Sequence, residues 1–229
     1  DLEGVYSGKD HEYYFDALNQ LGISELDNDN FLKANKIFND LIIRSQKSNP
    51  ADLGYYYLNL AISYNNLSDK INEKKYLIKS LKTLKKQFGD KSADAAHLYA
   101  ELGFYYLMAS DYKKAEDNLN KALKLQNRLN DNTTKEDLIY TYQYLSNLYQ
   151  RRSNFRESEK YILKAVDLNK KLFGKKNIKY IQLMDQYADI QIDKDNYLKA
   201  IEIYKNNLEV LEELDIKGFD YSNVLNALG

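Results

Sequence analysis

The sequence lacks cysteine altogether, and its 229 residues include a single proline and nine glycines. Without cysteine, disulfides, thiol nucleophiles and cysteine-ligated metal sites are excluded. The shortage of proline and glycine leaves few chain breaks, which favours long helices over many short strands. The apolar runs are far shorter than the roughly 20 residues of a membrane-spanning helix. We therefore expect no membrane insertion of this segment.

An excess of charge of one sign is also missing. The chain has 33 lysines and arginines against 34 aspartates and glutamates, for a formal net charge of −1. Because affinity for nucleic acid depends on a positive surface that displaces counterions, this balance disfavours a general nucleic-acid binder. The absence of cysteine does not fix the compartment. A cytoplasmic location is slightly favoured, and a periplasmic or secreted one would require a signal peptide that has been removed.

A pattern of about 42 residues recurs along the sequence. In its clearest copy, Leu102-Gly103 is followed by Tyr106, by Asp111-Tyr112 and by small or apolar residues at helical spacing. The small residue after the first apolar position recurs at 22, 61, 103, 146 and 188, in steps of 39, 42, 43 and 42 residues. A small residue at this position allows two helices to approach closely. Five frames therefore register, each with the residues of two amphipathic helices.

Helix ends can be predicted from capping residues. Asn30, Asp111, Asn154 and Asn196 each precede an aromatic residue and are predicted N-caps of second helices. Thr133 with Glu136 is a predicted capping box, and the glycines at 89 and 174 are predicted left-handed C-terminal stops. The predicted first helices span 11–26, 51–66, 92–109, 135–151 and 177–193. The predicted second helices span 30–46, 70–88, 112–129, 155–172 and 197–214.

These motifs resemble the tetratricopeptide repeat (TPR) family, and the period resembles the longer repeats of kinesin light chains rather than the usual 34 residues. The resemblance implies an all-α fold, an α–α superhelix (TPR solenoid) of five helix pairs with the start of a sixth near Phe219. Residues 1–14 would be a lead-in and 15–229 the array, with repeats starting near 15, 54, 96, 139, 181 and 222. The sixth repeat is cut short, so we expect the natural chain to continue beyond Gly229. In the second repeat, Lys70 and Glu73 replace an aromatic and a small residue, which predicts either less regular packing there or a slip of the register by a residue or two.

The resemblance also implies a concave groove lined mainly by the first helices. It places the following residues on a partner-binding surface: Asn65, Asn66, His97, Phe104, Leu107, Met108, Tyr140, Gln143, Asn147, Gln150 and Arg151. The apolar members could hold hydrophobic side chains of a peptide. The amides, which both donate and accept, could pair with its backbone. The alternative is that several of them only pack against neighbouring helices or face solvent.

Charge on this surface bears on the kind of partner. Arg151 is the only basic residue in the predicted set, which disfavours a clamp for a C-terminal carboxylate. Asp185, Asp189 and Asp193 would make the C-terminal end acidic and suited to a basic segment. The lysine-rich stretch 70–91 is interpreted as a solvated helix face.

The sequence predicts a scaffold for protein–protein interaction that binds a peptide or protein segment, with no catalytic residues, metal or cofactor. His97 has Asp94 one turn earlier, but a zinc site requires three or four ligands. The alternative is the sensory region of a bacterial signalling protein with a downstream effector domain. The sequence identifies neither the partner nor the oligomeric state.

Overall fold

The computed structural model describes residues 9–45, 52–129 and 131–218, together with positions 222, 224 and 227. This part of the chain forms ten α-helices and no strand, which confirms the all-α prediction. The helices are α1 (Lys9–Asp27), α2 (Phe31–Ser45), α3 (Leu53–Asn66), α4 (Lys70–Phe88), α5 (Ala93–Met108), α6 (Tyr112–Leu129), α7 (Asn132–Arg151), α8 (Phe155–Phe173), α9 (Ile178–Asp193) and α10 (Tyr197–Glu213). Their bounds lie within a few residues of the predicted spans. The predicted sixth pair falls largely outside the described residues, of which Ser222, Val224 and Ala227 are helical.

The contacts divide the chain into two compact units, Asp1–Leu102 and Gly103–Gly229. In the first unit α1 packs on α2, α2 on α3, and α3 on α4. In the second, α6 packs on α7, α7 on α8, α8 on α9, and α9 on α10. Each unit therefore consists of antiparallel helix pairs stacked in sequence order, and its core lies between successive helices rather than around one centre.

Every first helix ends in the same hydrogen-bonded turn. At the end of α7, the Ser153 N–H donates to the Gln150 carbonyl and the Asn154 N–H to the Tyr149 carbonyl, both at 2.8 Å. This pair of bonds is a Schellman motif, whose penultimate residue is left-handed. Ser153 accordingly has a φ of 55°. The same two bonds close the other four first helices, with positive φ at Asp29, Ser68, Ser110 and Asp195.

The residue after the left-handed position caps the second helix in most pairs. The Asn154 side chain accepts from the Glu157 N–H, and the Asp111 side chain accepts from the Lys114 N–H at 3.2 Å. The predicted cap at Asn196 is wrong, because this side chain makes no capping bond and donates instead to the Gln191 side chain at 3.2 Å.

Two other predictions concern helix ends next to the longer connections. The predicted box at Thr133 is displaced, because α7 begins earlier and Asp131 is its N-cap, accepting from the Thr134 N–H at 2.8 Å. Gly89 and Gly174 end α4 and α8 with φ of 91° and 78°, as the stop prediction requires. Their ψ values of 165° and −169° place them outside the left-handed helical region that was predicted, in a region open essentially only to glycine.

Close approach within each pair explains the small residue of the repeat. A Cβ atom added to Gly103 would lie 2.6 Å from Leu119 Cδ2, and one on Gly22 would lie 2.5 Å from Phe38 Cε1. In the fourth pair the position is Ser146. Its Oγ donates to the Ser158 carbonyl and Ser158 Oγ donates to the Ser146 carbonyl, each at 2.9 Å. A small side chain at this point is therefore a steric requirement.

The second repeat, whose sequence departs from the pattern of the others, packs as regularly as they do. Helix α4 begins at Lys70, and Glu73 is buried where the other repeats have a small residue. Burial raises the pKa of the Glu73 carboxyl, while Lys70 Nζ contacts Glu73 Oε2 at 2.8 Å and opposes that rise. A lysine–glutamate pair thus replaces the aromatic and small residues, and the register does not slip.

Tyrosines pack in two equivalent clusters 85 residues apart. Tyr64 stacks on Tyr76 with ring centroids 5.6 Å apart, and Tyr149 stacks on Tyr161 at the same distance. A lysine covers each pair, since Lys79 Nζ lies 5.0 Å from the Tyr76 centroid and Lys164 Nζ lies 5.3 Å from that of Tyr161. The second and fourth pairs are therefore close structural copies of each other.

The left-handed turns predict that glycine is stabilising at Ser153. A left-handed L-residue costs about 1–2 kcal/mol, and glycine avoids this at an entropic cost of about 0.5–1 kcal/mol. Ser153→Gly should raise the free energy of unfolding by about 0.5–1 kcal/mol, measured by urea denaturation. Ser153→Ala keeps the unfavourable φ and should give no gain. A loss of stability in the glycine variant would contradict the turn assignment.

Because the helices approach closely at Gly103, we predict that alanine at this position lowers the free energy of unfolding. In an exposed helix interior, Gly→Ala stabilises by about 0.5–1 kcal/mol. At Gly103 the added methyl group would meet Leu119, so we expect a net loss of about 1–3 kcal/mol. The double variant Gly103→Ala/Leu119→Ala should be destabilised by less than the sum of the losses of the two single variants, measured in the same denaturation assay. Simple additivity of the two losses would argue against the clash.

Candidate binding surface

The predicted binding residues divide between the two units. Asn65, Asn66 and His97 belong to the first unit. Asn65 Oδ1 accepts from Lys70 Nζ at 2.7 Å, and Asn66 Nδ2 donates to the Ile62 carbonyl at 3.1 Å. Both contacts lie within the same helix pair, so neither amide links successive first helices. His97 is half-buried on α5.

In the second unit, the predicted amides form a row along α7 that pairs with α9. Three side-chain hydrogen bonds, each 2.7 Å long, connect the two helices: Lys179 Nζ to Gln143 Oε1, Gln186 Nε2 to Asn147 Oδ1, and Gln150 Nε2 to Asp193 Oδ2. We call the surface made by these six residues and Tyr140 the α7–α9 face. The sequence prediction included its α7 members and missed Lys179 and Gln186.

Each amide of this row uses only part of its hydrogen-bonding capacity. Asn147 accepts from Gln186, and in the described part of the chain its own Nδ2 donates to nothing. Gln150 donates to Asp193, and its Oε1 accepts nothing from the described residues. Neither residue is fully buried. A donor and an acceptor on one helix face are therefore available to a ligand.

The predicted apolar residues have different surroundings. Tyr140 is 45% exposed and Met108 is 37% exposed, while Phe104 stacks on Tyr144 with centroids 4.6 Å apart. Leu107 has no accessible surface and packs in the core with Leu119. With no accessible surface it cannot contact a partner directly, so Leu107 is assigned to the core. Arg151 is exposed at the end of α7.

The predicted acidic end is smaller than expected. Asp185 Oδ1 accepts from Asn207 Nδ2 and Asp189 Oδ1 accepts from the Tyr204 hydroxyl, both at 2.7 Å. These contacts direct the two carboxylates to α10 rather than to α7. Only Asp193 of the three lies on the α7–α9 face, where it pairs with Gln150.

Lys179 is the cationic residue of this surface whose pKa is shifted most. Its Nζ lies 3.9 Å from the centroid of the Tyr140 ring and donates to Gln143. Burial lowers the pKa of the Lys179 ammonium to about 8, from an ordinary value of 10.5. The sequence offered one signal for it, namely that the aligned first-helix positions 52, 94 and 137 are aspartates.

Two general features bear on the type of site. The described residues include no group of three or more histidine, cysteine, aspartate or glutamate side chains arranged to hold a metal ion. None of the described helices is both long enough and apolar enough to span a membrane.

Comparison with protein families gives two matches, both to models described as tetratricopeptide repeat, over residues 74–128 and 138–178. Among curated proteins, the Sol locus transcriptional repressor of Clostridium acetobutylicum is 32% identical over 108 residues. The aligned segment covers 47% of this chain and 29% of the repressor. The chain thus matches less than a third of that relative.

Solved structures show the same fold. A putative kinesin light chain with nearly identical TPR-like repeats, from P. anserina, matches with a TM-score of 0.68 and 11% identity over 90% of this chain and 98% of that one. The quorum sensor NprR from B. thuringiensis matches with a TM-score of 0.70 and 12% identity over 92% and 56%. NprR has also been solved in complex with its cognate peptide NprX, with a TM-score of 0.68. At these identities the likeness shows the fold alone.

Lys179→Met is predicted to stabilise the free protein near neutral pH. Methionine keeps the apolar stem and a sulfur–aromatic contact with Tyr140 but removes a desolvated charge. We expect a gain of about 1 kcal/mol at pH 7, allowing for solvent screening of a half-buried group.

The gain should depend on pH. Between pH 8 and 10.5 the unfolded chain binds the Lys179 proton more tightly than the folded chain, so wild-type unfolding free energy rises with pH in this window. The advantage of Lys179→Met should therefore be full below pH 8 and shrink as the pH increases toward 10.5. Urea denaturation of both proteins at pH 7 and 9.5 measures it. A constant difference would contradict the lowered pKa.

Proposed function

Because the chain belongs to the tetratricopeptide repeat family, we propose that it is a protein–protein interaction module that binds an extended peptide or protein segment on the α7–α9 face. The observation that carries this proposal is the row of half-used amides on α7, with Asn147 Nδ2 and Gln150 Oε1 open to a ligand. A peptide in extended conformation presents alternating N–H and C=O groups that such amides can pair with. The peptide-bound quorum sensor NprR, which shares the fold, supports this mode.

The apolar anchor of the proposed site lies beside this row. Tyr140 is 45% exposed, and Phe104 and Met108 are partly exposed on α5 of the same unit. An aromatic side chain with a large exposed area is typical of binding hot spots, because it buries much surface for few rotatable bonds. We propose that a hydrophobic side chain of the ligand packs on Tyr140 while its backbone pairs with the amides.

We propose no catalytic role for this segment. Its most strongly perturbed tyrosines are Tyr55, Tyr149 and Tyr204. Burial, and hydrogen bonds to a carboxylate, raise the pKa of each of these hydroxyls. A raised pKa keeps the hydroxyl protonated, which is the reverse of what an activated nucleophile needs. These tyrosines serve to satisfy carboxylates on neighbouring helices.

A second candidate function is the ligand-sensing region of a transcriptional regulator. The 32% identity with the Sol locus repressor, over 47% of this chain, favours it. It uses the same peptide-binding surface and adds an effector to the complete natural protein. Gel-shift titration of the complete protein with and without the bound peptide separates the two candidates, since an adaptor would show no peptide-dependent change in DNA binding.

Substitutions on the α7–α9 face test the proposed function. Peptides selected from a random displayed library against this chain should bind the α7–α9 face, and fluorescence anisotropy then gives their affinity. Asn147→Ala and Tyr140→Ala should each weaken binding by about tenfold or more, because each removes a contact at the centre of the site.

The matched control is Tyr197→Ala, which removes a tyrosine of the same unit that is 56% exposed on α10. It should leave the affinity unchanged. Equal effects of Tyr140→Ala and Tyr197→Ala, or no effect of Asn147→Ala, would contradict the assigned surface.

A further inference from the structure

Two equivalent positions of the chain carry opposite charges. Tyr55 and Tyr140 are 85 residues apart, the offset that also relates the two tyrosine clusters, and so are Asp94 and Lys179. In the first unit the Tyr55 hydroxyl donates to Asp94 Oδ1 at 2.7 Å. In the second, the ammonium of Lys179 lies over the Tyr140 ring at 3.9 Å. The repeat architecture therefore accepts a carboxylate here, and it does not require the lysine.

The lysine is also poorly placed for stability. It is the second residue of α9, where the unpaired N–H groups of the helix create a partial positive charge that disfavours a cation. Burial further disfavours its charged form. Its two neighbours, the Tyr140 ring and the Gln143 carbonyl oxygen, carry no net charge. Within the described residues it makes no ion pair, whereas Lys194, which also bridges helices, contacts Glu159 at 2.5 Å.

An ammonium group has three N–H donors, and Gln143 accepts one of them. The remaining donors lie on the α7–α9 face, beside the exposed ring of Tyr140. A half-buried cation without a counterion, at the positive end of a helix, is a site for an anion. The missing partner of Lys179 is then a negative group that arrives with the ligand.

We propose that Lys179 binds a carboxylate of the peptide that occupies the α7–α9 face, either its C-terminus or an acidic side chain. This inference rests on the proposed function and specifies it further, since it assigns the ligand an acidic group beside the side chain that packs on Tyr140. It replaces the sequence-based expectation of a basic segment, because Asp185 and Asp189 pair with α10. It also revises the expectation that a C-terminal carboxylate is disfavoured, because that expectation rested on Arg151 as the only basic residue and Lys179 lies on the same face. The ion pair forms only in the complex, so the unfavourable position in the free protein is retained for binding.

The test uses peptides selected from a random displayed library on the unchanged chain. Each selected peptide is resynthesised with a free C-terminus, with a C-terminal amide, and with every Asp and Glu replaced by Asn and Gln. Affinities are measured by fluorescence anisotropy at one fixed ionic strength. Neutralising one of the two carboxylate sources should weaken binding by about tenfold or more, and the arm that shows the loss identifies the source.

Two variants locate the effect at Lys179. Lys179→Met should lower the affinity for the acidic peptide to the affinity that the unchanged chain has for the neutralised peptide. The neutralised peptide should lose no further affinity on Lys179→Met. Lys179→Asp reproduces the Tyr55–Asp94 arrangement at Tyr140, so it should fold and should lose the preference for acidic peptides. Circular dichroism checks that both variants fold. If a variant does not fold, the comparison of each peptide with its neutralised forms on the unchanged chain still tests the proposal.

The outcomes separate the two proposals. If peptides bind the α7–α9 face and neutralisation or Lys179→Met changes nothing, the carboxylate site is wrong and the peptide-binding function stands. If acidic peptides lose affinity equally on wild type and Lys179→Met, the carboxylate binds elsewhere and the inference is again overturned. If the library yields no binding peptide, both the function and the inference are contradicted.

Discussion

The close approach between a small residue of the first helix and the second helix of the same pair is the constraint on which the described structure depends. At Gly103 the available space is filled by Leu119, and at Gly22 by Phe38. This approach sets the separation of the two helices in a pair, and the left-handed turn that follows, at Ser110 or Asp29, sets their direction. Once the pair is fixed, its first helix presents one face to the next pair. The positions that link successive first helices, such as Asn147 and Gln186, follow from that geometry.

The helices themselves could be predicted almost completely from the sequence. The apolar period, the capping residues predicted before four of the second helices, and the glycines after α4 and α8 gave helix bounds within a few residues of those observed. The errors have local causes. Asp131, two residues before the predicted cap at Thr133, is the N-cap of α7. The Asn196 amide donates a hydrogen bond to Gln191 instead of capping α10. The left-handed turn residues were not predicted, because serine and aspartate at these positions carry no glycine-like signal.

The binding surface was less predictable, because helical period locates a face but not what each side chain touches. Leu107 directly precedes the exposed Met108 in sequence and yet has no accessible surface. Asp185 and Asp189 share the period of the groove but pair with α10. Lys179 was missed because the resemblance pointed to the middle of the first helices. Its signal, a lysine where the aligned repeats have aspartate, becomes meaningful only when the structure shows that no carboxylate in the described residues faces it.

The stability of the free protein and the proposed binding both depend on one residue, Lys179. In the described residues, Lys194 reaches another helix and pairs with a carboxylate, and Lys164 lies exposed over an aromatic cluster. Lys179 also lies over an aromatic ring, but it is half-buried and pairs with no described carboxylate, and it lies beside the half-used amides of the α7–α9 face. The most direct test is to label the chain isotopically, bind a peptide selected from the displayed library, and map the contact surface by NMR. The account predicts that the largest shifts and intermolecular contacts fall on Tyr140, Gln143, Asn147 and Lys179. Contacts confined to the exposed residues of α10, around Tyr197 and Leu198, would contradict it.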